Sequence, residues 1–366
     1  MKKIISCMLI MLLLCMTTNI VLATESNTSP TSFLTDVNST VAAVLSSMEM
    51  YKAQYGMENI NFSTLSLGSE LPAYEITSNG AALIEDIHYF PIMSNNSWVA
   101  TAIVCYGSEG SMNVEVSKKY VDAFVSRTER ISPELALVFD NSNTYLFNGA
   151  NYTLAETNEP ISSRAPISSL PTLNLDTVPL ASNSELTIRP SIMTRANGDA
   201  VFLDVPSIMQ PTNQSCWATS TASILQYYGL YRTPANVCSA ANVNLNTYLS
   251  AADTAELIGD YYGFGWGKNG DTNTFYYKLI MDTLITETYI NDSPIFAGFA
   301  PASNSSTGAG HAVVVQGYVN LTYPTMSYMD PADGLYKASN VPSNGDVAIT
   351  VSGTSRSLLA AFAVYE

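Results

Sequence analysis

The stretch from Glu156 to Asn197 most limits how this chain can fold. It is rich in Ser, Pro, Thr and Asn, and carries Pro160, Pro166, Pro171, Pro179 and Pro190. Proline removes the amide donor that helix and sheet interiors need, so this composition reads as a linker. A linker here leaves folded units on either side within a chain of 366 residues. The expected division is 1–23 as an export signal and 24–155 as an N-terminal α+β domain. Residues 156–198 then form the linker and 199–366 the second domain. Arg164 and Arg195 lie inside or at the end of the linker, where a protease reaches exposed backbone.

The N-terminus fits export. Lys2 and Lys3 precede an apolar run from Ile4 to Met16, and Val21-Leu22-Ala23 puts a small residue at a cleavage point. The run is short for a membrane span. Cys15 follows Leu-Leu-Leu, without the small residue that precedes a lipid-modified cysteine. The expectation is cleavage after Ala23 and release to the extracellular medium, with no membrane attachment afterwards.

Hydrophobic spacing organises the rest. Phe33, Val37, Val41, Val44, Leu45 and Met48 recur at helical intervals between Thr31 and Tyr55. Strand patterns then dominate from Pro72 to Gly149, at Trp98 to Tyr106 and Ala136 to Phe147, with a helix-like run from Lys118 to Ile131. In the second domain, Cys216 to Tyr228, Ala251 to Tyr262 and Thr274 to Thr288 read as helices. After Pro294 come strands at Ile295 to Phe299, Ala312 to Val319, Thr325 to Met329, Val347 to Val351 and Leu359 to Tyr365. The reading is α+β throughout, with a helical part before an antiparallel sheet.

Charge narrows the function classes. The net charge is −16 and only 13% of residues are charged, which disfavours nucleic acid and anionic membranes as partners. Signal cleavage removes Cys7 and Cys15, leaving Cys105, Cys216 and Cys238, an odd number that cannot all be paired. With two histidines in the chain and no close Cys/His cluster, neither a metal site nor an organic cofactor is expected.

Chemistry concentrates in three places. Cys216 stands where the segment Met209-Gln210-Pro211-Thr212-Asn213-Gln214-Ser215 gives way to an amphipathic helix, so the helix dipole favours a thiolate there. Gln210 lies on the approach loop, where its amide and the Cys216 backbone N–H form a candidate oxyanion hole. His311 opens an apolar strand in Gly310-His311-Ala312-Val313-Val314-Val315-Gln316-Gly317-Tyr318, after the loop Ser303 to Gly310. A hairpin through Asn320 to Pro324 returns Asp330 to the same end, where a carboxylate can fix the imidazole tautomer. Asp333 is the fallback for that role. Cys238, Cys105 and His88 read as packing residues.

These elements, in this order, resemble papain-like cysteine peptidases, in which a Gln precedes the nucleophilic Cys-Trp and a Gly-His strand follows. Compact bacterial branches are the nearest in pattern: staphopain-type proteases, bacteriocin leader peptidases and plant-pathogen effector proteases. The resemblance implies a two-lobed catalytic domain, a helical lobe then an antiparallel sheet, behind a smaller α+β prodomain. It implies Cys216 as nucleophile, His311 as general base, Asp330 as its orienting group and Gln210 in the oxyanion hole, acting on a protein or peptide substrate. Asp330 stands where papain has Asn. The order of signal, folded unit, linker and catalytic domain suggests a zymogen whose cleft partners its own N-terminal prodomain; a permanent binding domain is the competing expectation. A transglutaminase-like acyl transferase shares the Cys, His, Asp order, and a non-enzymatic secreted binding protein is the third class.

Overall fold

A computed structural model describes residues 30–124, 135–140, 143–148, 152–155, 173, 184–186, 199–270, 272–301, 310–321 and 323–366. The expected export signal, Arg164, Arg195, most of the expected linker and residues 302–309 lie outside the described residues. Among the described residues, 30–35 group apart from Asp36–Glu366, and every described strand belongs to the second unit.

The chain is built mainly of strands. In order they are β1 (Leu65–Leu67), β2 (Ala73–Thr77), β3 (Gly80–Leu83), β4 (His88–Ser94), β5 (Ser97–Tyr106), β6 (Met112–Ser117), β7 (Leu135–Asp140), β8 (Asn143–Asn148) and β9 (Tyr152–Leu154). After them come β10 (Ser184–Glu185), β11 (Ala200–Phe202), β12 (Gly265–Gly267), β13 (Ile295–Ala300), β14 (His311–Val319), β15 (Thr325–Asp330), β16 (Leu335–Asn340), β17 (Ala348–Val351) and β18 (Thr354–Tyr365). Among the described residues, thirteen of these join one antiparallel sheet with the order β10-β1-β4-β5-β6-β16-β15-β14-β13-β18-β12, β11 adding to β14 and β17 to β18. The other five form a second sheet, β3-β2-β7-β8-β9, in which β2 and β7 run parallel.

The expected two-lobed layout, a helical lobe followed by a sheet, is therefore corrected. The helices after Cys216 are short: Cys216–Tyr227, Pro234–Ala240, Ala251–Glu256 and Met281–Leu284. The run read as a helix from Thr274 to Thr288 shows why. Tyr276 bonds Ala361 in both directions, its N–H to Ala361 O at 2.7 Å and its carbonyl accepting at 2.8 Å. This half of the run is spent on the sheet edge. The rest coils as Met281–Leu284 and then widens into π-type turns over Ile285–Ile290. Glu287 anchors these turns, buried and accepting from Tyr276, from Tyr365 at 2.8 Å and from Asn291 at 2.8 Å. Helical periodicity shows which residues face inward, but the backbone at Tyr276 finds its partner on the sheet edge instead.

Alternation explains the core. In β14 every residue is buried, because opposite faces meet different layers. Ala312 and Val314 pack with the Cys216–Tyr227 helix, whereas Val313, Val315 and Tyr318 pack with Leu279, Leu284, Tyr328 and Ile349 on the other side. A third core, between the large and small sheets, holds Tyr89, Ile103, Tyr120, Phe124, Leu137 and Phe139, and includes Ala348 from β17.

The large sheet crosses from the N-terminal segment into the C-terminal one. β6 pairs with β16, setting Val116 across from Ala338 and Glu115 across from Ser339. The Val114 N–H donates to Asn340 Oδ1 at 2.6 Å, and Asn340 Nδ2 returns a bond to Met112 O at 3.1 Å.

Candidate active site

Cys216 is the first residue of its helix, preceded by a tight turn. Ser215 N–H donates to Thr212 O at 3.2 Å, and the Ser215 hydroxyl donates to the same oxygen at 2.9 Å while accepting from the Thr212 N–H at 3.1 Å. Spent on this turn, the Ser215 side chain makes no cap bond to the helix. The helix is held in place by its own side chains. Trp217 Nε1 donates to Thr247 O at 2.8 Å, and Ser220 Oγ donates to Ala312 O on β14 at 3.2 Å. Cys216 and Trp217 are both fully buried.

His311 begins β14. Its predecessor must be glycine for a steric reason: a Cβ on Gly310 would overlap the Tyr248 hydroxyl and lie 2.8 Å from Phe299 O. β14 pairs with β15, Val314 opposite Met329, with a register shift between Val315 and Gly317 that leaves Gln316 as the extra residue. Asp330 ends β15, and its Oδ1 lies 2.6 Å from His311 Nε2. Cys216 is near enough to the ring to favour its protonated form. The structure thus brings Cys216, His311 and Asp330 together, with exposures of 0%, 3% and 1%.

Electrostatics follow from that enclosure. Burial, the largest influence on His311, disfavours the imidazolium. The Asp330 charge and hydrogen bond, together with Cys216, outweigh it and carry the pKa up to about 9. Burial likewise opposes the Asp330 carboxylate, but the Lys337 ammonium and then His311 hold it well below the usual carboxylate range. Asp330 Oδ1 accepts in addition from the Ala332 N–H at 2.9 Å, and Oδ2 lies 2.6 Å from Lys337 Nζ.

Gln210 is brought to this end by the turn after Asp330. Its N–H donates to Pro331 O at 2.7 Å, and the Ser207 hydroxyl reaches Gly334 O. Its Oε1 is buried with no hydrogen-bond partner among the described residues. Asp333 lies behind the site rather than in it, 3.0 Å from Lys337 and donated to by its neighbour Leu335 N–H at 3.1 Å. Cys105 and Cys238 are buried free thiols, and burial raises both, Cys105 to about 11. His88 Nδ1 lies 2.7 Å from Glu70 in the N-terminal segment. Among the described residues, no three or more His, Cys, Asp or Glu side chains gather as a metal site would require.

Sequence reasoning missed Lys337 and Glu115. Lys337, 0% exposed, sits in Leu335-Tyr336-Lys337-Ala338, where a lysine reads as a solvated edge residue. The available signal was pairing. β15 and β16 form a hairpin with Asp330 opposite Leu335, so period-two alternation puts Lys337 on the Asp330 face.

Residues 202–344 match the sequence model of the Peptidase_C39 like family. No curated protein matches the chain. Gln210, Cys216, His311 and Asp330 all fall in the matched residues. The match supports a papain-like cysteine peptidase superfamily for this segment, and with it cysteine peptidase chemistry in general.

Proposed function

We propose that the protein is an exported cysteine endopeptidase in which Cys216, His311 and Asp330 act as a triad and Gln210 contributes to an oxyanion hole. The observation that carries the reading is the chain of contacts from a helix-start cysteine through His311 to Asp330, the last two 2.6 Å apart and shut away from solvent. An imidazolium that persists to about pH 9 is the counter-ion a nucleophilic thiolate requires. Cys216 Sγ attacks the scissile carbonyl carbon, and His311 gives its proton to the leaving amine. Water then cleaves the thioester with His311 as base. The Gln210 amide and the Cys216 N–H meet the oxygen on which charge develops. Asp330 keeps the ring in one tautomer and balances its charge.

Export rests on the basic N-terminus, the apolar run and Ala23. No described helix is long and apolar enough to cross a membrane. Strands from residues 24–155 pair within the sheet that bears His311 and Asp330, which argues against release of that segment as an inhibitory prodomain. The reading is tested with Cys216→Ala. Hydrolysis of a dye-labelled unfolded protein in reducing buffer should vanish while the circular dichroism spectrum is unchanged. Activity equal to wild type would refute the nucleophile.

A further inference from the structure

The site has a charged floor that crosses the chain. Lys337 Nζ lies 2.6 Å from Asp330 Oδ2, 3.0 Å from Asp333 Oδ2 and 3.6 Å from Glu115 Oε1. Glu115, 2% exposed, comes from β6, and its other oxygen accepts from the Tyr328 hydroxyl at 2.6 Å. Sheet geometry puts these groups on one face. Lys337 is directly across from Tyr328, and Glu115 is across from Ser339, two residues along the strand from Lys337.

Burying an ammonium is tolerable only with its carboxylates in place, and stripping one away leaves uncompensated charge. Exposing Glu115 by removing β6 would do this and would also uncover the edge of β16. A second tie lies nearby. The Asp346 carboxylate accepts from Glu109 N–H at 2.9 Å and from the Ser108 hydroxyl at 3.0 Å, while Asn113 bonds Asp346 O and the Ala348 N–H at 3.0 Å each. A Cβ on Gly107 would overlap Asp346 Oδ2, so backbone and carboxylate are in direct contact there.

We propose that Lys337 is a positioning residue that holds Asp330 against His311, that Glu115 completes its charge balance, and that the N-terminal segment is therefore a permanent part of the site. The inference rests on the triad reading for the role of Asp330, but not for the attachment. A competing propeptide would leave a self-sufficient catalytic segment; here the catalytic carboxylate is braced by a charge pair with one member on each side of the linker.

The test uses the full chain with a specific protease site introduced between residues 160 and 170. After cutting, in the Cys216→Ala background, the two pieces should co-elute in native buffer on size exclusion and separate only in denaturant. With Cys216 intact, cut and uncut protein should hydrolyse labelled unfolded protein within twofold of each other. Separation into free pieces, with activity kept by the C-terminal one, overturns the proposal while leaving the peptidase reading intact. Absence of hydrolysis even in uncut protein defeats the peptidase reading, and co-elution still decides the attachment. Positioning is read separately from Lys337→Met. Loss of the ammonium should raise the acid limb of kcat/KM by about one pH unit or more. An unmoved limb in a folded variant overturns the positioning role.

Discussion

Replacing Asp330 by Asn tests the electrostatic core of the site, because the partner charge disappears and the shape of the side chain is kept. The rise of His311 from 6.5 to about 9 corresponds to about 3 kcal/mol in favour of the imidazolium. Burial works against that rise, so Asp330 and Cys216 together must supply more than the net figure, Asp330 the larger share. Without the carboxylate, burial acts against Cys216 alone. The alkaline limb of kcat/KM, expected at about pH 9 in the wild type, should then fall by at least one pH unit. The same group links stability to pH. An unfolded imidazole titrates near 6.5 and the folded one near 9, so the folded protein holds the extra proton between these values. This contribution to stability is fully present below about pH 6.5 and is lost as pH rises through about 9. Asp330→Asn should flatten that slope in urea titrations run at pH 6, 7.5 and 9. Lys337 keeps Asp333 and Glu115 as partners, so the variant should still fold. The assay follows hydrolysis of a dye-labelled unfolded protein from pH 5 to 10. If the alkaline limb of Asp330→Asn coincides with that of the wild type, Asp330 does not set the His311 charge and the reasoning is refuted.

Two further expectations rest on named contacts. Gln210→Ala should lower kcat about a hundredfold or more with KM changed little, as loss of an oxyanion donor does, and steady-state kinetics would expose an effect confined to KM. Gly107→Ala should cost about 1–3 kcal/mol in urea denaturation, because the added methyl overlaps the Asp346 carboxylate; an unchanged midpoint would mean that the contact relaxes freely.

Much of the local structure was legible because it rests on local spacing. The apolar run after Gly310 read as a strand from Ala312 to Val319 and is β14, His311–Val319; Trp98 to Tyr106 read as a strand and is β5, Ser97–Tyr106. Cys216 at a helix start, His311 at a strand start and Asp330 after a hairpin could likewise be read from one segment each. The helical reading of Thr274 to Thr288 failed for a matching reason: the competitor was the remote edge of β18, which no local pattern contains.

The sequence by itself determined where the reactive side chains stand along the chain and which elements present them. Composition also suggested a linker at 156–198, yet within it Leu173 packs in the core of the small sheet and Ser184–Glu185 pairs with β1. What lies across that segment was decided only by tertiary structure. Whether a lysine is solvated or buried depends on the charges around it, and Lys337 meets Glu115 only because β6 pairs with β16. The 2.6 Å contact between His311 and Asp330 depends in the same way on the register of β14 against β15, which the shift after Val315 sets. Electrostatic energy falls off with distance in space rather than along the chain, so the site's charge balance is a property of the folded sheet.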